Sequence, residues 1–157
     1  MVAMTRWLDD DEQRTWRAYL HASRALAAAL DRELQSRSGM PHAYYEILVR
    51  LSEVPGRTLR MSELADATDS SRSRLSHAVS RLEEYGWVRR EECPTDRRGQ
   101  LAVLTEPGFA ALADAAPGHV DAVRRHLFDQ LTPAQIDQLL NISEALVKHL
   151  TGNNPPP

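Results

Sequence analysis

The stretch DSSRSRLSHAVSRLEEYGW, residues 69–87, decides the fold. By composition it is a serine- and arginine-rich run of the kind that fills linkers. Its apolar residues say otherwise. Leu75, Ala78, Val79 and Leu82 recur at three- and four-residue spacing and share one face of a helix over about 71–85, which Gly86 closes. Ser73, His77 and Ser80 lie opposite, flanked by Arg74, Ser76 and Arg81. A helix that merely faces water ordinarily carries Glu–Lys pairs. Serine is a poor helix former, so this cluster has no stability rationale. Short hydroxyls permit close approach to DNA and bond phosphates or base edges, and Arg74 and Arg81 suit phosphate or guanine. Ser71 and Arg72 open the helix, where free N–H groups can also hold a phosphate.

Working outward, MSELADAT (61–68) reads as a short helix buried through Leu64 and Ala65. A connection of three or four residues joins it to the first stretch, which is the spacing of a helix-turn-helix. Beyond Gly86 the period changes to two. WVRREE (87–92) and QLAVLT (100–105) read as strands, and CPTDRRG between them supplies the turn residues Pro94, Asp96 and Gly99. The hairpin tip is basic through Arg97 and Arg98. A helix followed by a basic hairpin is the layout of a winged helix, with the helix in the major groove and the wing near the minor groove.

The flanks are helical. Residues 9–36 place DDDE at a helix N-terminus, where the dipole favours acid, ahead of a stripe of Trp16, Tyr19, Leu20, Leu26, Leu30 and Leu34. Gly39 ends this helix, and Pro41 opens another over 42–53. PGR (55–57) is a turn. Thr105 caps a helix over about 106–130 that Pro117-Gly118 is expected to kink or interrupt. Thr132, Pro133 and Gln135 form a capping box before a last stripe of Ile136, Leu139, Leu140, Leu146, Val147 and Leu150. The breaker-rich 151–157 reads as a disordered tail.

Bulk properties agree with a folded regulator-sized domain. The chain has 157 residues, 42% apolar and 26% charged. Its net charge of −3 argues against nucleic acid until the distribution is read. Residues 57–98 hold nine Arg against eight Asp and Glu, and the remainder ten basic against fourteen acidic residues. Within 70–81 three arginines stand without any acid. The lone Cys93, the acidic N-terminus and the lack of a long apolar run point to a cytoplasmic protein with no membrane span.

The series MSELADAT…SRSRLSHAVSRLEEYGWVRREECPTDRRGQLAVLTEPG resembles the winged helix-turn-helix of the MarR family of bacterial transcription regulators. The resemblance extends over about residues 9–150. It implies a mainly α fold with a small β-hairpin wing. Residues 9–36 and 106–150 would form a helical dimerisation region, and 42–105 the DNA-binding region. It implies an obligate homodimer, with Leu139, Leu146 and Leu150 in the interface, on a palindromic operator of double-stranded DNA, usually as a repressor. The DNA-binding residues would be Ser71, Arg72, Ser73, Arg74, Ser76, His77, Ser80, Arg81, Arg97 and Arg98. Asp96 matches the family's wing aspartate, which pairs with a nearby arginine. Arg98 matches the wing arginine, whereas Arg97 stands where many relatives carry another residue. Release by a small aromatic or phenolic ligand is implied, and Trp16, His21, Tyr44 and Tyr45 are candidates to line its pocket.

Three other readings remain open at this level. Cys93 would serve a redox trigger if Arg89 and Arg90 favoured its thiolate, although Glu91 and Glu92 oppose them. A helical protein–protein adaptor needs no DNA. An enzyme would need a motif the chain lacks, whether nucleophile elbow, phosphate-binding glycine loop or HExxH pair. No metal or cofactor is expected.

Overall fold

The structure is a computed structural model that describes residues 5–152, apart from the side chains of Arg97 and Arg98. The chain divides into two compact units, Met1–Leu26 with Val120–Pro157, and Ala27–His119. The division falls within two long helices rather than at their ends.

Helix α1, Asp10–Ser38, starts where the acid run predicts. The Glu12 N–H donates to Asp9 Oδ1 at 2.8 Å, and the Asp9 N–H donates to Glu12 Oε2 at 3.0 Å, a reciprocal cap. Helix α2, His42–Ser52, buries Tyr45, Ile47, Leu48 and Leu51. The PGR turn follows with Gly56 at φ 68. It leads into strand β1, Thr58–Arg60, which is too short to show an alternation in sequence.

Helices α3, Met61–Ala67, and α4, Arg72–Glu84, form the helix-turn-helix. Leu64 and Ala65 of α3 and Leu75, Val79 and Leu82 of α4 are buried in one cluster with Leu48, Leu51, Val88 and Leu104. Gly86, at φ 72, turns the chain into the wing. Strands β2, Val88–Cys93, and β3, Asp96–Leu104, pair antiparallel, with β1 on the far edge of β3.

The wing differs from the sequence expectation. Its turn is only Pro94-Thr95, and both strands run closer to the tip than the periodicity suggests. Register is regular from Val88↔Leu104 to Glu92↔Gln100, then jumps to Cys93↔Asp96. Arg97, Arg98 and Gly99 are therefore extra residues of β3 opposite the Glu92–Cys93 step, a bulge rather than a loop. A Cβ at Gly99 would stand 3.2 Å from both Asp96 Oδ2 and the Cys93 Cβ, which explains the glycine.

The LTEPG token is the joint between wing and α5, Glu106–His126. Thr105 Oγ1 donates to the Gly86 carbonyl at 2.6 Å and accepts the Gly108 N–H at 3.1 Å. A Cβ on Gly108 would sit 2.0 Å from the Trp87 carbonyl oxygen, so only glycine fits there. Helix α5 corrects a second expectation, because it runs unbroken through Pro117 and ends at His126, with a separate 3₁₀ turn at Phe128–Gln130. Proline's fixed φ is itself helical, and what is lost is one N–H bond to the Ala113 carbonyl. Helix α6, Pro133–Thr151, has the Thr132–Gln135 capping box and ends on Gly152 at φ 67. The expected tail thus begins within a helix, and residues 153–157 lie outside the described residues. No helix among the described residues is long and apolar enough to cross a membrane.

Candidate nucleic-acid interface

The predicted recognition face lies on α4, but its side chains do not share one role. Ser71 is the N-cap, and its hydroxyl accepts the Arg74 N–H at 3.2 Å. Arg72, Ser73, Arg74 and His77 are exposed on the first two turns. Arg72 and Arg74 make no ion pair among the described residues, so their charge is available to a partner.

Ser76 and Ser80 are engaged from within. Arg90, on β2, donates through Nη2 to the Ser76 carbonyl at 2.7 Å and to Ser76 Oγ at 3.2 Å. Its Nη1 donates to Ser80 Oγ at 3.1 Å and to Glu83 Oε2 at 2.8 Å. The Arg90 backbone N–H donates to Glu83 Oε1 at 3.0 Å. Ser80 is half-buried under this network, which a helical wheel of α4 alone cannot show. One guanidinium, 20% exposed, therefore ties the wing to the recognition helix. Sequence reasoning misses Arg90 as a functional residue, yet a signal exists. It sits two residues after buried Val88, on the same face of the strand.

The other arginines divide in the same way. Arg81 pairs with Glu84 at 2.7 Å and Arg89 with Glu91 at 2.8 Å, and both remain exposed. Asp96 lies 3.8 Å from Arg60 Nη1, and Arg60 Nη2 donates to Thr95 Oγ1 at 2.9 Å. The partner of the wing aspartate thus comes from β1, an element the sequence does not reveal. The side chains of Arg97 and Arg98 lie outside the described residues.

Cys93 sits beneath the turn. Its thiol pKa is drawn down, first by the hydrogen bond with the Thr95 side chain (Sγ to Oγ1 3.4 Å) and the Thr95 backbone, and less by the Arg60 charge. The expected causes, Arg89 and Arg90, are not among them. The residue is only 6% exposed, which limits access for an oxidant.

The four candidate pocket aromatics fall into separate units. Tyr45 is buried in the core of the 27–119 unit, where burial pushes its hydroxyl pKa up, and Tyr44 packs against that core. Tyr45 also stacks within 4.5 Å of His119, and His42 lies 5.3 Å from His119 between ring centroids. In the other unit Trp16 is exposed and stacked on Tyr19, and His21 is exposed. Trp16 lines a cleft of about 260 Å³ with Trp7, Leu8, Gln13 and Arg17. Leu139, Leu146 and Leu150 are exposed on α6. No cluster of three or more His, Cys, Asp or Glu among the described residues has metal-binding geometry.

Comparison with known proteins agrees with this layout. A sequence model described as the MarR family matches residues 38–99. The transcriptional repressor MprA of Escherichia coli K12 is 30% identical over 112 residues, which cover 71% of this chain and 63% of MprA, short of two thirds of that relative's length. Among solved structures, the MarR family regulator Sco3205 of Streptomyces coelicolor, determined in complex with DNA, is 54% identical. It covers 93% of this chain and 92% of its own, at a TM-score of 0.89. AbsC, a MarR family regulator from the same organism, is 47% identical over 95% of this chain and 100% of its own, at a TM-score of 0.88. A helix-turn-helix with a bulged, arginine-tethered wing, over this length and at this identity, places the chain in the MarR family of transcriptional regulators, which are not enzymes.

Proposed function

We propose that this chain binds double-stranded DNA sequence-specifically as a homodimeric repressor at a palindromic operator. The observation that carries this is the first half of α4. Arg72, Ser73, Arg74 and His77 are exposed, and the two arginines lack ion pairs among the described residues, while their neighbours Arg81, Arg89 and Arg90 are all paired. A cationic face left unneutralised beside a basic wing suits phosphate and base edges. The DNA complex of the 54% identical Sco3205 supports the same reading. Arg98 and Arg97 extend the face to the minor groove, and Asp96 with Arg60 holds the wing in shape. The exposed stripe Leu139, Leu146 and Leu150 supports a second copy as the partner of α6.

The reading is tested by selecting bound fragments from a genomic DNA pool with the full chain. Recovery of an inverted repeat, bound with strong salt dependence, is the expected result. A dimeric protein indifferent to salt and sequence would instead be an adaptor.

For ligand release, the cleft at Trp16 suits a small aromatic acid, with indole faces for the ring and Arg17 for the carboxylate. Tyr45 belongs to the core and leaves this proposal. Quenching of tryptophan fluorescence by hydroxybenzoates, with loss of operator binding, is expected; unchanged operator binding at saturating ligand would remove it. The burial of Cys93 disfavours a redox trigger.

A further inference from the structure

An open cleft of about 350 Å³ lies between the start of α3, the face of α4 and β3, lined by Arg60, Ser62, Arg72, Ser76, Asp96 and Gln100. Its lining holds two guanidinium groups, two hydroxyls and an amide against a single carboxylate. That carboxylate, on Asp96, already stands 3.8 Å from Arg60. Arg60 spends one N–H on Thr95, and a guanidinium carries five. Arg72 has no ion pair among the described residues, and it is the first residue of α4, at the positive end of the helix dipole. The cleft is therefore cationic, rich in donors and open to solvent.

Its position defines what can fill it. With α4 in a major groove and the wing at the neighbouring minor groove, the DNA strand separating those grooves must cross the gap between helix and wing. This cleft is that gap. We propose that it seats a backbone phosphodiester of the operator, with Arg60 and Arg72 supplying charge and Ser62 and Gln100 neutral donors. The inference rests on the DNA-binding reading above, and it adds Arg60, Ser62 and Gln100 to the contact set. It also gives Arg60 two tasks, because the residue that tethers the wing turn also touches the backbone. Grip on the phosphate and placement of the wing are thereby coupled.

The test compares salt titrations of the full chain on its selected duplex, between about 0.05 and 0.2 M salt. Arg60→Gln is expected to lower the slope of log affinity against log salt by about 0.9, the value of one lost phosphate contact. Thr95→Val removes the tether alone and is expected to keep the wild-type slope. A methylphosphonate scan should then find one position per half-site whose neutralisation weakens the wild type but not Arg60→Gln. Should Arg60→Gln fail to fold, the Ser62→Ala/Gln100→Ala pair is scanned instead, with the same loss of coupling expected. A wild-type slope in Arg60→Gln overturns the proposal, as does a scan with no coupled position. Competition by millimolar inorganic phosphate without such a position would make the cleft a free-anion site and also overturn it. Absence of any salt-dependent duplex binding by the wild type would sink the DNA-binding reading itself, a distinct result from a bound duplex with an unchanged slope.

Discussion

The two units of this chain treat their apolar residues in opposite ways. In the 27–119 unit, Leu48, Leu51, Leu64, Leu75, Val79 and Leu82 are all within 1% of full burial. In the other unit Ala122 is the one buried apolar residue among those described, while Trp16, Leu140, Ile142, Leu146 and Leu150 are exposed by 43–77%. Yet the two sets are written alike in the sequence, as stripes at three- and four-residue spacing. Periodicity reports that a face is apolar and says nothing of what covers it. One unit closes its own core; the other leaves a face of a size that ordinarily belongs to a partner.

The largest break in this contrast should come from Leu146→Asp. If α6 meets a second copy, the substitution puts two carboxylates into one symmetric interface, which costs several kcal/mol. Light scattering should show a monomer with weak operator binding. A persistent dimer would assign the stripe to something else. Leu82→Ala comes next. It leaves a cavity in the closed core, and denaturant titration should read a loss of about 2–5 kcal/mol. Leu140→Ala, on the open face, should leave the stability of an isolated protomer within about 0.5 kcal/mol of wild type. Equal losses in the two variants would mean that the open face is already covered within one chain.

A related division separates what the amino-acid sequence makes legible from what it hides. Local features are legible. The Thr132 capping box, the Gly86 turn and the buried edge of α4 depend on residues a few positions apart, and their chemistry is fixed by spacing. Features assembled from distant segments are not. Arg60 meets Thr95 and Asp96 across 35 residues, and nothing around Arg60 announces that pairing. A helical wheel puts Ser80 on the outer face because it has no knowledge of the strand lying beside the helix. The bulge at Arg97–Gly99 is hidden for a similar reason. Its neighbourhood is rich in turn formers, and only the register of β3 against β2 shows that the turn has ended before Asp96.

Arg90 tests how far the closed unit depends on one polar joint. Arg90→Ala leaves Glu83 half-buried without its cation and strips partners from Ser76 and Ser80, at a cost of about 1–3 kcal/mol. Beyond stability, α4 loses its fixed angle to the wing. Operator affinity should therefore fall more than affinity for random duplex, with little change in salt slope. Arg90→Lys keeps the charge but not the fork, and should restore stability better than discrimination. Equal weakening on all sequences would make Arg90 a phosphate contact rather than a positioning residue.

The smallest effect is expected at His119, where the closed core is least complete. Its Nδ1 is buried without a hydrogen-bond partner, and its ring packs on Tyr45 and His42. Burial lowers its pKa first, and the neighbouring His42 lowers it further. The unfolded chain therefore takes up this proton before the folded one does. The stabilisation is fully present above the ordinary histidine value near 6.5 and is lost as pH falls below it toward the depressed folded value. Thermal unfolding of the wild type should weaken between about pH 7.5 and 5.5 by more than that of His119→Phe, which keeps the ring and removes the titration. Matching losses would place the acid sensitivity in other groups. The two nearest candidates are His42 beside the ring and Asp31, which accepts the His42 N–H at 2.9 Å.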